Sequence, residues 1–123
     1  MYEIGHWVNG ARIAGASGRA ADIFNPATGE VQGKVALASK AEVDAAVAKA
    51  AAAQPGWAAT NPQRRGRVMM EFVRLLNRDM DKLAEALSRE HGKTLPDARG
   101  DVQRGLEVIE FCIGAPHLLK GEY

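Results

Sequence analysis

Hydrophobic and polar positions change rhythm along the chain, from short runs near the start to helical spacing after about residue 39. His6-Trp7-Val8 and Ala11-Arg12-Ile13 flank Asn9-Gly10, a dipeptide suited to the positive φ angles of a type I′ turn, and so predict a hairpin. Gly15 to Gly18 reads as a loop. Asp22-Ile23-Phe24 then predicts a strand that enters Asn25-Pro26-Ala27-Thr28-Gly29, where Pro26 presets a turn and Gly29 releases it. Val31, Gly33, Val35 and Leu37 alternate on one face of a further strand, and Gly33 marks that strand as a weak or edge one. All the strands are expected within about residues 6–37.

Three helices should follow, over about 39–53, 61–91 and 94–115. Ser39 with Glu42 three residues later is a capping-box signature, ahead of Val43, Ala46, Val47 and Ala50 at helical spacing. Gln54-Pro55-Gly56 is expected to stop this helix and leave Trp57 in a loop. Asn61-Pro62 reads as an N-cap with proline at the first helical position, and Met69, Phe72, Val73, Leu76, Met80, Leu83 and Leu87 continue as one stripe. Gly92 ends the second helix and Thr94 is placed to cap the third. The first turn of the third helix tolerates Pro96 and gains from Asp97 near the positive end of the helix dipole. Pro116 ends or kinks it. No repeat or linker interrupts the chain, so one structural unit is expected.

The third helix is apolar on two sides. Ala98, Val102, Leu106, Ile109 and Ile113 form an ordinary amphipathic stripe, but Arg104, Val108 and Phe111 align on the opposite side at i, i+4 and i+7. Gly100 and Gly105 each cost about 1 kcal/mol relative to alanine inside a helix, which points to another backbone close by. Such a helix calls for neighbours on both faces.

Composition narrows the function classes. The 123 residues carry a formal net charge of +1, so no general field draws in nucleic acid or an anionic membrane. No apolar run approaches the ~20 residues of a membrane span, and the first residues lack a signal-peptide pattern. The expectation is a cytoplasmic protein with no nucleic-acid or membrane partner. A single cysteine, Cys112, excludes an internal disulfide framework.

Candidate chemistry is sparse. Cys112 lies mid-helix with no base or oxyanion donor supplied by spacing, and reads as a packing residue. His6, His91 and His117 lack zinc-ligand spacing. Arg64, Arg65 and Arg67 read as a solvated or salt-bridged face without interleaved aromatics. No G-x-G-x-x-G or G-x-x-x-x-G-K-[ST] occurs, so no cofactor-binding residue is assigned. Arg104 differs, because a guanidinium beside Val108 and Phe111 would be partly desolvated and presents a rigid fork suited to a carboxylate. By spacing it pairs with Asp101 or Glu107, or contacts a ligand.

Against this background the chain resembles the N-terminal part of an aldehyde dehydrogenase. The landmarks occur in order: W-V-N-G at Trp7 to Gly10, N-P-A-T-G-E at Asn25 to Glu30, the alanine-rich helix ending in P-G-W-A, and E-H-G-K at Glu90 to Lys93. G-D-V-Q-R-G-L-E-V-I-E-F followed by G-A-P-H-L-L-K-G-E is similar to the CoA-acylating methylmalonate-semialdehyde dehydrogenase branch. The resemblance implies an α/β fold in which residues 1–123 form the first part of the NAD-binding domain: a β-hairpin and strands, then three helices, without the parallel dinucleotide-binding sheet.

It also implies that Arg104 holds the carboxylate of a semialdehyde substrate. The chemistry implied by the resemblance is a cysteine thiolate attacking the aldehyde, hydride transfer to NAD, loss of the malonyl-type carboxyl group, and handover of the acyl group from thioester to CoA. No residue for those steps matches a position here. Cys112 is outside the nucleophile's sequence context, no catalytic residue is assigned, and the chain alone should be inactive. A monovalent cation site would use the Ile23 and Phe24 carbonyls and Glu90. The complete enzyme should be a homo-oligomer. Two other readings stay open, a non-catalytic interaction module of the same origin and the first part of another aldehyde dehydrogenase branch.

Overall fold

The computed structural model describes residues 1–122. The chain forms two compact units, Met1–Ala59 and a second from Thr60 onward, where the sequence pattern predicted one.

In the first unit, β1 (Tyr2–Ile4), β2 (His6–Val8), β3 (Ala11–Ile13), β4 (Ala20–Phe24) and β5 (Val31–Ala36) precede α1 (Lys40–Ala59). The predicted hairpin is β2–β3, with Trp7 opposite Arg12 and positive φ at both Asn9 and Gly10. The turn between β4 and β5 also forms as expected. Asn25 Oδ1 accepts the Ala27 N–H at 2.9 Å, and Gly29, at φ +75°, donates its N–H to the Asn25 carbonyl at 2.8 Å.

Two expectations about the strands fail. β1 was missed, although it pairs parallel to β5 with Tyr2 opposite Gly33. β5 is not an edge: the sheet order is β1-β5-β4, with β4 antiparallel to β5 and a register shift at Ile23/Phe24. Gly33 is at the centre because a Cβ there would lie 2.8 Å from the Tyr2 carbonyl oxygen and 3.1 Å from its ring. The missing side chain admits β1 rather than weakening β5.

The capping box closes as predicted. The Ser39 N–H donates to Glu42 Oε2 at 2.8 Å, and the Glu42 N–H donates to Ser39 Oγ at 3.2 Å. Glu42 Oε1 also accepts the Ala16 N–H at 2.6 Å, tying the loop before β4 to the start of α1. Those amide donors hold the Glu42 carboxyl below its ordinary value, the Ser39 amide first and the Ala16 amide next. α1 does not stop at Gln54. It runs through Pro55 and Gly56, so Trp57 is helical, and no α1 residue is buried. Proline removes only one donor, the bond to the residue 51 carbonyl, and alanine on both flanks supplies the strongest helix propensity.

The second unit holds α2 (Pro62–Arg78), α3 (Met80–His91), α4 (Leu95–Ile113) and the short α5 (Ala115–Leu118). Asn61 caps α2, accepting the Gln63 N–H on Oδ1 at 2.9 Å. The helix predicted over 61–91 is two helices, broken at Asp79 with φ −106° and ψ 15°. Asn77 Nδ2 donates to the Val73 carbonyl at 3.0 Å, a side-chain bond that competes with the helix backbone, while the Asp79 carboxylate pairs with Arg78 and Lys82. Gly92 ends α3 in the left-handed conformation, φ 85°, as expected. Thr94 occupies the α4 N-cap position without a side-chain bond, so its capping role is not seen. Gly114 rather than Pro116 separates α4 from α5.

α4 packs against α3 and α2 with the predicted stripe inward. Ala98 and Leu106 are buried there, as is Ala84 on α3, while no large side chain among the described residues is fully buried.

Replacing Gly33 with alanine forces its Cβ onto Tyr2 and should destabilise the chain by about 1–3 kcal/mol. Urea denaturation of the Gly33→Ala variant measures this loss; an unchanged midpoint would mean that β1 does not pair with β5.

Candidate functional site at the junction of α3 and α4

The turn that ends α3 delivers Lys93 to the first two turns of α4. Asp97 and Asp101 are four residues apart and share one helix face, so one ammonium group reaches both. Lys93 Nζ lies 2.9 Å from Asp97 and also pairs with Asp101 Oδ2. Its side chain is only 15% exposed, unusual for lysine and consistent with its two carboxylate partners. The other oxygen of Asp101, Oδ1, accepts from Arg104 Nη1 at 2.8 Å. Asp101 therefore bridges two cations, one half-enclosed and one open.

Electrostatics follow the geometry. The Lys93 hydrogen bond, above all, holds the Asp101 carboxyl below its ordinary 3.8. Asp101 first and Asp97 second push Lys93 above its ordinary 10.5. Nearby, Ser88 Oγ donates to the Lys93 carbonyl at 2.7 Å and Arg99 pairs with Asp81, so α3 and α4 are fastened on both sides of the turn.

Of the two pairings open for Arg104, the structure selects Asp101; Glu107 instead accepts from Gln103 Nε2 at 3.2 Å. The guanidinium is not desolvated as expected, because its side chain is 76% exposed and Val108 and Phe111 beside it are 62% and 70% exposed. A Cβ on Gly100 or Gly105 would meet no atom within 4 Å, so the close neighbour anticipated at those glycines is not among the described residues. Among the described residues only Nη1 of Arg104 is engaged, which leaves Nε and Nη2 as donors for a carboxylate.

Ile23 and Phe24 are at the bulge of β4 in the first unit, where the Phe24 carbonyl accepts from Gln32 Nε2 at 3.0 Å; Glu90 is in the last turn of α3 in the second unit. No group of three or more His, Cys, Asp or Glu among the described residues could hold a metal ion. Cys112 is exposed on α4 rather than packed inside. His6 Nε2 lies in the first unit without a hydrogen-bond partner, whereas His91 and His117 belong to the last turn of α3 and to α5. Lys93 and Asp101 were not singled out as a pair from sequence. The available signal was the helix-stopping Gly92 followed by a cation and carboxylates at i+4 and i+8.

Residues 13–123 match the aldehyde dehydrogenase family, and the chain belongs to it. It is 43% identical over 123 residues to malonate-semialdehyde dehydrogenase of Pseudomonas aeruginosa, covering all of this chain and 24% of that protein. Among solved structures it is similar to a Sinorhizobium meliloti protein assigned as a methylmalonate-semialdehyde dehydrogenase and complexed with NAD, at 69% identity and TM-score 0.95, over 99% of this chain and 25% of the other. The methylmalonate-semialdehyde dehydrogenase of Oceanimonas doudoroffii gives 43% identity and TM-score 0.94 over the same shares. The chain thus spans about a quarter of the length of these relatives. The α/β fold expected from the resemblance, an N-terminal segment of strands followed by helices, is the fold observed.

The pair of shifts at Lys93 and Asp101 sets a pH window. Asp101, with its value lowered on folding, adds stability above pH 3.8 that disappears as pH falls through its folded value; Lys93, with its value raised, adds stability up to 10.5 that disappears above. The difference in melting temperature between wild type and Asp101→Asn should be constant from about pH 5 to 9 and close at both extremes. A difference that persists unchanged at pH 2 would show that the carboxylate charge is not its source.

Proposed function

We propose that this chain is the N-terminal part of the NAD-binding domain of an NAD-dependent, CoA-acylating malonate- or methylmalonate-semialdehyde dehydrogenase. The observation that carries the reading is the match along the whole chain to proteins bearing that name, 43% identical in sequence and 0.94–0.95 in TM-score. In this reading Arg104 receives the substrate carboxylate on the donors that Asp101 leaves open, and the planar fork suits a bidentate contact. NAD accepts the hydride and CoA the acyl group, on residues beyond this chain, which has no Gly-rich cradle for a dinucleotide phosphate. The chain by itself is inactive, and the complete enzyme is a cytoplasmic homo-oligomer. No described helix is long and apolar enough to cross a membrane.

The exposed face of α4 supports the same reading. Val108 and Phe111 stand bare beside Arg104, and Gly100 and Gly105 face open space, as expected of a helix built for neighbours on both sides. The same bare residues, with Val68, Met70 and Phe72 on α2, favour the interaction module as a second reading. A specific oligomer of the 123-residue chain at low concentration, with no longer form in the cell, would support that alternative.

In the complete enzyme, Arg104→Ala should lower kcat/KM for malonate semialdehyde about 10- to 100-fold, the scale of a lost charge-assisted contact, and leave propanal nearly unaffected. Equal losses on both substrates would place the carboxylate elsewhere. The glycines offer a second measurement. Gly105→Ala should stabilise the isolated chain by up to about 1 kcal/mol, since nothing meets the added methyl, and should destabilise the complete enzyme if another backbone lies there.

A further inference from the structure

Arg104 is largely exposed, on a long side chain with many rotamers, yet it is tethered at one nitrogen. A free guanidinium would have to lose that freedom on each binding event, and a preset one would not. A carboxylate tether carries a difficulty, since Asp101 competes for the same positive charge that a substrate carboxylate needs. The Lys93 link resolves it. Asp101 Oδ2 is committed to Lys93, which is only 15% exposed, so the aspartate shares its charge between two cations.

Asp97 could cancel this advantage, but it is seven residues from Arg104, about 10 Å along the helix axis, and solvated with 58% exposure. That separation is about a Debye length at physiological ionic strength. Glu107, three residues past Arg104, accepts from Gln103 Nε2 instead, so the carboxylate in contact with Arg104 is Asp101, itself shared with Lys93. His91 also acts on Asp101, in the same lowering direction.

We propose that Asp101, itself anchored by Lys93, is a positioning residue for substrate specificity: it fixes Arg104 through Nη1 so that Nε and Nη2 are preset for the carboxylate of a semialdehyde. The inference rests on the assignment of Arg104 to that carboxylate. Asp101 touches no reacting atom in it, and its effect reaches the substrate only through the arginine. Lys93 acts one step further back, by holding Asp101.

Steady-state kinetics of the complete enzyme with NAD and CoA decide the matter, using malonate semialdehyde and propanal in parallel. Asp101→Ala should raise KM for malonate semialdehyde about 5- to 10-fold, with kcat within about twofold and both constants for propanal nearly unmoved. Asp101→Glu should restore most of the affinity, because a carboxylate three residues before the arginine still reaches it. If the alanine variant fails to fold, Asp101→Asn, which keeps the shape and loses the charge, is measured instead with the same expectation. An equal fall on both substrates would make Asp101 merely structural and overturn the proposal, as would an unchanged KM. Arg104→Ala separates the two levels. If it discriminates between the substrates and the Asp101 variants do not, only the positioning role falls; if it does not discriminate, the assignment of Arg104 falls and takes this inference with it.

Discussion

The approach of α3 to α4 is the contact on which the second unit depends. The buried positions of this unit include alanines, Ala84 and Ala98, with Leu106 about two turns further along α4. Small side chains let two helix backbones come close, but they remove little apolar surface from water. Register must then be held by something directional. The left-handed Gly92 turn, the Ser88 bond to the Lys93 carbonyl, the Arg99–Asp81 pair and the Lys93–Asp101 link supply it. Exposed ion pairs contribute little singly, whereas Lys93, half-enclosed and doubly paired, is the member whose geometry is constrained.

What the sequence revealed was local. Asn9-Gly10, the Ser39/Glu42 box, Asn61-Pro62 and Gly92 each act within a few residues, and each forms as read. The misses are of two other kinds. β1 joins β5 across about thirty residues, and nothing in a three-residue strand announces a distant partner. Pro55 and Asp79 are contests between local terms: alanine propensity prevailed over a proline at the first, and side-chain competition prevailed over a continuous hydrophobic stripe at the second.

The candidate site was half legible for the same reason. Arg104 stood out because it interrupts an apolar face, and Asp101 was one of two partners in helical reach. Lys93 lies before the helix begins, so its place beside Asp101 depends on the direction in which the Gly92 turn sends the chain. Val108 and Phe111 are apolar though bare, and packing within the described residues gives no account of them.

The double use of Glu42 has a consequence for how the first unit comes apart. α1 buries no residue, so tertiary packing does not hold its first turn, and forming a first helical turn is the costly step of helix formation. One carboxylate accepts from Ser39 at the helix start and from Ala16 in the loop before β4. The loop and the helix start therefore share one tether, beside the Ser17 and Arg19 bonds to the Leu37 and Ala38 carbonyls, and acid that neutralises Glu42 weakens both ends of that tether at once.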